Sequence, residues 1–231
     1  MKTKTRVIAL LVALLSFSVG TTRAAGLAQA EGEAPRLVAV WYDGHRLYRG
    51  AFSGVAREVA SIFDPLELEI RWQEALEHDP PLDERTILLR IVLTPSDGSG
   101  PGWRLRGDVL GAAPPGNGRI RSIYIFYKEV VREVAKGMPN GGILQPPVKL
   151  LEKALGRVVA HEMIHAVAPS ISHTKRGLMR PAVGSFFLAG NKNVVLSHPV
   201  AQAFVAGAES IAATSRSIAS ELAAQQPGAS N

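Results

Sequence analysis

A chain of 231 residues with 46% hydrophobic content can bury the core of one full domain, and it contains no cysteine. That excludes a disulfide framework, a lipid-modified cysteine and any zinc site built from thiolates. The formal charge of +6 is weak evidence for a nucleic-acid partner: residues 1–25 hold four basic residues (Lys2, Lys4, Arg6, Arg23) and no acidic one, so without them 22 Lys and Arg face 20 Asp and Glu and the net charge is +2.

The N-terminal 25 residues read as a secretory signal peptide. Three basic residues precede an apolar run from Val7 to Val19, and Arg23-Ala24-Ala25 offers small residues for cleavage. The run is short for a transmembrane helix, so the expectation is export to the periplasm or beyond with no lasting membrane insertion; an uncleaved anchor is the alternative. Residues 36–224 are expected to form a single domain and 225–231 a frayed tail.

Arg36 to Tyr42 is an apolar run of β-formers and predicts a first strand. Apolar residues recur at helical spacing from Tyr48 to Phe63, and Pro65 stops that helix. Leu66 to Trp72 alternates as a half-buried strand, and Thr86 to Leu93 is apolar enough to be central. A Gly/Pro loop at 97–102 leads to a weaker strand, Trp103 to Ala113, whose following Pro114-Pro115-Gly116-Asn117-Gly118 suits a sheet edge. Arg119 to Tyr127 is a further strand and Lys128 to Lys136 a short helix. A long helix follows from Val148 to about Ala168, with Leu150, Leu151, Ala154, Leu155, Val158 and Val159 on its core face. Pro181 to Val195 reads as irregular, with Phe186 and Phe187 as core anchors. Ser197-His198-Pro199 opens a last helix running towards Ala224. His45 and His78 sit in polar loops and read as surface residues.

The long helix carries His161-Glu162-Met163-Ile164-His165. Residues four apart lie about 40° apart around a helix and about 6 Å along it, so His161 and His165 project to a common point where they can grip a divalent cation. Glu162, one step round, reaches the place of a water on that cation and can act as general base. A catalytic zinc site needs a third protein ligand and an open fourth position. His173 is the nearest candidate, because Pro169 ends the helix and lets the chain turn back. Glu209 and His198 are its rivals. The pattern points to metal-assisted hydrolysis.

HEMIH, a chain reversal, a third His and the tight turn Gly177-Leu178-Met179 together resemble the zinc-binding segment of metzincin metallopeptidases, most of all the matrixin-like branch. The strand and helix order extends the resemblance over about 36–180. It implies an α+β fold with a mixed sheet, an active-site helix, a Met-turn and a C-terminal helix. It further implies Zn2+ held by His161, His165 and His173, and Glu162 as general base. Gly177, Leu178 and Met179 would pack beneath the metal, and Val109, Leu110, Gly111, Ala112 and Ala113 would be the edge that aligns an extended peptide. Two departures stand out: Ala168 occupies the place of a family glycine, and His173 comes two residues late. The lack of cysteine removes the cysteine-switch latency of many matrixins. The chain has no Tyr beyond Tyr127, so oxyanion stabilisation falls to the metal, with an edge-strand N–H as a helper.

The expected function is therefore a secreted zinc-dependent endopeptidase acting on peptide or protein substrates. A gluzincin-like hydrolase with Glu209 as third ligand and a non-catalytic secreted binding domain are the alternatives.

Overall fold

The structure, a computed structural model, describes residues 34–66, 68–75, 79–80, 82–95, 109–116, 118–138, 145–181 and 183–224. The N-terminal 25 residues, His78, the first part of the Trp103–Ala113 strand and the 225–231 tail lie outside them.

Two-residue alternation builds the sheet. In β1 (Arg36–Tyr42), Leu37, Ala39 and Trp41 share one face. Ile87, Leu89, Ile91 and Leu93 do so in β3 (Thr86–Thr94), and Ile123 and Ile125 in β5 (Ile120–Phe126). With β2 (Ile70–Glu74) and β4 (Gly111–Ala112) they form a five-stranded mixed sheet in the order β2-β1-β3-β5-β4. The first four strands in that order run parallel; β4 is antiparallel to β5, pairing Gly111 with Ile125 and Ala112 with Tyr124. β3 is the middle strand, and Thr86 to Leu89 are all buried, as a strand covered on both faces requires.

Two helices cover the apolar face. α1 (Phe52–Phe63) contributes Val55, Val59 and Ile62, and α3 (Val148–Val167) contributes Leu151, Ala154, Leu155, Val158, Val159 and Met163. Parallel neighbours need crossovers of this kind. α1 and α3 approach closely at Gly156, where a Cβ would lie 2.6 Å from Glu58 Cβ and 3.1 Å from the Val55 carbonyl oxygen. That approach lets Arg157, only 3% exposed, pair with Glu58 at 2.8 Å. Its guanidinium also donates to the carbonyls of Phe187 and Lys192, which ties the segment after the histidines to α3. α2 (Tyr127–Lys136) and α5 (His198–Ala224) complete the core, with Phe204 packed on Phe63 at 4.7 Å between ring centroids. The expected α+β architecture, with its mixed sheet, long helix and C-terminal helix, is present. Among the described residues no helix is long and apolar enough to cross a membrane.

Several boundaries differ from the sequence reading, each for a local reason. The first helix begins at Phe52 and not at Tyr48, because the Asp43 carboxylate accepts the N–H groups of Leu47 and Tyr48 and holds that stretch in a loop. The strand expected from Leu66 starts at Ile70, and a 3-10 turn over Asp64–Leu66 takes up its first residue. Among the described residues the edge strand is only Gly111–Ala112, although Phe126 N–H still donates to the Leu110 carbonyl at 2.9 Å. The segment expected to be irregular contains a short helix, α4 (Ser185–Ala189). Phe186, expected in the core, is 86% exposed; Phe187 alone packs inward, under the Arg157 guanidinium at 5.5 Å.

Candidate metal centre

α3 is buried over most of its surface from Leu151 to Val167, with His161 buried and His165 half-buried at its C-terminal end. His161 and Glu162 are each 7% exposed. Helix spacing brings the His161 and His165 rings edge to face, with centroids 4.8 Å apart.

The chain leaves α3 at Ala168 and returns His173 to the same point. His173 Nε2 lies 3.1 Å from His165 Nε2 and 3.3 Å from His161 Nε2. The candidate donor atoms of the three residues all fall within 4.8 Å of one another, and they are the group of this kind found among the described residues. A tetrahedral zinc with Zn–N bonds of about 2.0–2.1 Å would hold its nitrogens about 3.3 Å apart. The two spacings that His173 makes match such an ion, and all three rings lie close enough to share one. Glu209 and His198 are not brought to this point: both are exposed on α5.

The ring orientation is fixed from behind. His161 Nδ1–H donates to the Leu178 carbonyl at 2.8 Å, which leaves the Nε2 lone pair facing the other two histidines. The Leu178 carbonyl is aimed by the turn that carries it. Gly177 has φ +76°, a left-handed conformation that a side chain disfavours, and Thr174 N–H closes the loop on the Met179 carbonyl at 2.6 Å. Leu178 and Met179 are both buried. The sequence reading named this turn as a packing support; the hydrogen bond from His161 to Leu178 was not foreseen.

The electrostatics favour neutral imidazoles. Burial pushes the His165 ring down to about 4, helped by His161 and His173 beside it. Burial also lowers His161, with the Leu178 hydrogen bond opposing. Neutral rings are the form that donates a lone pair to a metal. Glu162 is pushed up to about 8 by burial, against the backbone N–H of Ala113, which works to lower it. A carboxylate so poorly solvated is drawn strongly to any positive charge beside it.

A cavity of about 210 Å³ opens on these groups. Its walls are Val109, Leu110 and Gly111 from the edge, His161, Glu162, His165 and Val158 from α3, His173, and Pro181 and Val183 from the following segment. Of the five edge residues, Val109, Leu110 and Gly111 line the cavity and Ala113 reaches Glu162 through its N–H. Gly111 touches Glu162 directly: a Cβ there would lie 2.8 Å from Glu162 Cγ and 3.0 Å from the Tyr124 carbonyl oxygen. The sequence reading placed Pro181 and Val183 in the irregular segment after Met179 without giving them a role, and read Val158 as core, which it is as well as a wall of the cavity. For Val158 the signal was available, since 158, 161, 162 and 165 share one helical face.

No family model matches the chain, and no curated protein matches it. Solved structures similar to it include two zinc-peptidase-type proteins. One is an archaemetzincin from Methanopyrus kandleri, 16% identical, with a TM-score of 0.48 over 78% of this chain and 98% of that one. The other is a zinc-dependent peptidase from Methanocorpusculum labreanum, 13% identical, with a TM-score of 0.46 over 73% of this chain and 99% of that one.

Proposed function

We propose that the chain is an exported zinc-dependent endopeptidase of matrixin-like metzincin type, with His161, His165 and His173 as metal ligands and Glu162 as general base. The observation that carries this reading is the meeting of three imidazole nitrogens, at 3.1 and 3.3 Å, in one cavity with a buried carboxylate. A zinc ion bound there supplies Lewis-acid chemistry, polarising a substrate carbonyl and bringing the pKa of a water towards about 7.

The chain's own residues do the rest. The Glu162 carboxylate takes the proton of the attacking water and returns it to the leaving amine, a role for which low solvation raises its basicity. Leu178 holds His161 in the tautomer that presents Nε2. The turn Gly177-Leu178-Met179 acts as a Met-turn beneath the histidines. The edge from Val109 to Ala113 aligns an extended peptide by strand addition, its position beside the cavity supporting this role.

Glu162→Gln and His173→Ala test the assignment together. Glu162→Gln is expected to keep one equivalent of zinc by elemental analysis while turnover of a mixed quenched-fluorescent peptide library falls by at least about 10²-fold, the lower end for losing a general base. His173→Ala is expected to lose the metal, and Glu209→Ala to keep it. A Glu162→Gln protein as active as the parent would remove the hydrolase reading. Export is tested separately, by fractionating cells that express the full chain and sequencing the N-terminus of the exported form.

A further inference from the structure

A second concavity lies on the other side of the segment that follows the histidines. Pro181 and Val183 wall the histidine cavity, while Gly177, Arg180 and Gly184 line a cleft of about 1170 Å³ that reaches α4 and the start of α3. The two cavities share no lining residue. Apolar side chains dominate its wall, among them Val134, Leu150, Phe187 and Val194, and at its mouth Phe186 and Val195 are 86% and 63% exposed. An exposed aromatic beside an apolar cleft is unusual on a surface that only meets water.

The charged side chains among the described residues lining the cleft are all basic: Arg157, Arg180 and Lys192. None of the described residues lining it is acidic. The carboxylates nearby are already engaged: Glu58 by Arg157, and Glu133 by Lys136 and the Ser185 N–H. Arg180 and Lys192 line the cleft and have no ionic partner among the described residues. A concave apolar floor with a cationic rim complements an extended peptide better than a flat bilayer, because a side chain can enter it.

We propose that this cleft is a docking groove for an extended segment of a partner protein in which apolar side chains are flanked by carboxylates. The identity of that partner as the substrate rests on the peptidase reading; the binding itself does not. A substrate held in the groove is anchored on one side of the Arg180–Gly184 segment while its scissile bond lies on the other, so the groove adds affinity at a distance from the chemistry.

The test is fluorescence anisotropy at low salt with the full-length Glu162→Gln protein. The probe is a fluorescein-labelled decapeptide with central Phe-Leu flanked on each side by two Asp. Saturable binding is expected, weakened about tenfold by Phe186→Ser and by a similar factor by Lys192→Glu, and weakened further as salt rises. Both side chains are on the surface, and unchanged thermal melts verify that each variant folds. The groove is refuted if the probe does not bind, if both variants bind it as the parent does, or if a probe with Lys for Asp binds equally well. It is also refuted if Phe186→Ser abolishes only self-association in sedimentation, or only binding to phosphatidylglycerol vesicles. Binding that holds while the unsubstituted protein cleaves nothing sinks the peptidase reading and leaves the groove standing; cleavage of short peptides without groove binding does the reverse.

Discussion

Gly111→Ala is the most informative small change to the candidate centre. Gly111 is not in a positive-φ conformation, so alanine costs nothing in the backbone, and the whole effect comes from one methyl group. That methyl would sit 2.8 Å from Glu162 Cγ, 3.2 Å from Glu162 Cδ and 3.0 Å from the Tyr124 carbonyl oxygen. Ordinary carbon contacts begin near 3.5 Å, so something must move by several tenths of an ångström. The Tyr124 carbonyl belongs to the sheet, so the Glu162 side chain is the part that gives way. Overpacking of this kind costs about 1–3 kcal/mol, which for a domain of this size lowers Tm by about 2–12 °C. The larger effect falls on turnover: a catalytic group displaced by about 1 Å loses on the order of 10²-fold in rate. Zinc content should not change, because His161 is fixed from the opposite side by Leu178. The assay is kcat/KM on a quenched-fluorescent peptide beside zinc analysis and a thermal melt. In a Glu162→Gln background the same substitution should add no further kinetic loss, since both act through one carboxylate. Gly111→Ala with parental turnover, or with turnover and zinc lost together, refutes the argument that this glycine makes room for Glu162.

Gly177→Ala forces a left-handed residue to accept a Cβ, at about 1–2 kcal/mol, and tilts the Leu178 carbonyl away from His161; competition with a zinc chelator should show affinity weakened by about 10–100-fold. Arg157→Ala leaves Glu58 without its partner and the Phe187 and Lys192 carbonyls without a donor; with Glu58 itself still 20% exposed, the loss should be about 3 kcal/mol, read as a Tm lower by about 6–12 °C. Asp79 is held below its ordinary value first by its hydrogen bond to Arg90 and then by Tyr42, so its contribution to stability is complete above about pH 4 and is lost as pH falls through its folded-state pKa. Urea midpoints measured from pH 6 down to pH 2.5 should therefore fall less steeply for Asp79→Asn than for the parent.

The elements legible in the sequence are those written as unbroken apolar runs or bounded by prolines. β1, β3 and β5 are continuous runs rich in β-formers and were placed within a residue or two, and α3 shows both its start after Pro147 and its stop before Pro169. What misled was an interaction that pattern alone does not encode. Asp43 accepts two backbone N–H groups and delays α1, and nothing in the periodicity of 48–63 records that. Phe186 and Phe187 are adjacent, and hydrophobicity favours burying both. In a short helix adjacent residues face different ways, and Arg157 reaches the carbonyl and ring of Phe187 only.

The candidate centre was legible where helix geometry alone dictates it, at His161, Glu162 and His165, and less so at His173, where the path of the chain decides. Its spacing has a physical reading. A glycine at the helix end can reverse the chain in one step through a positive φ. Ala168 does not do this: its φ is −126°, and its N–H still bonds the Ile164 carbonyl at 2.7 Å. The reversal is made instead by a turn whose central residues are Pro169 and Ser170, closed by Ile171 N–H on the Ala168 carbonyl at 3.0 Å. Proline in the second place of a turn needs no left-handed residue, but it needs length. The two additional residues before His173 match that need, and Ala168 and Pro169 are thus two halves of one solution. The two changes are therefore coupled. Placing glycine at 168 with the loop length unchanged should leave His173 where it is, whereas deleting Pro169 and Ser170 with Ala168 intact should pull the His173 ring out of the group and abolish metal binding.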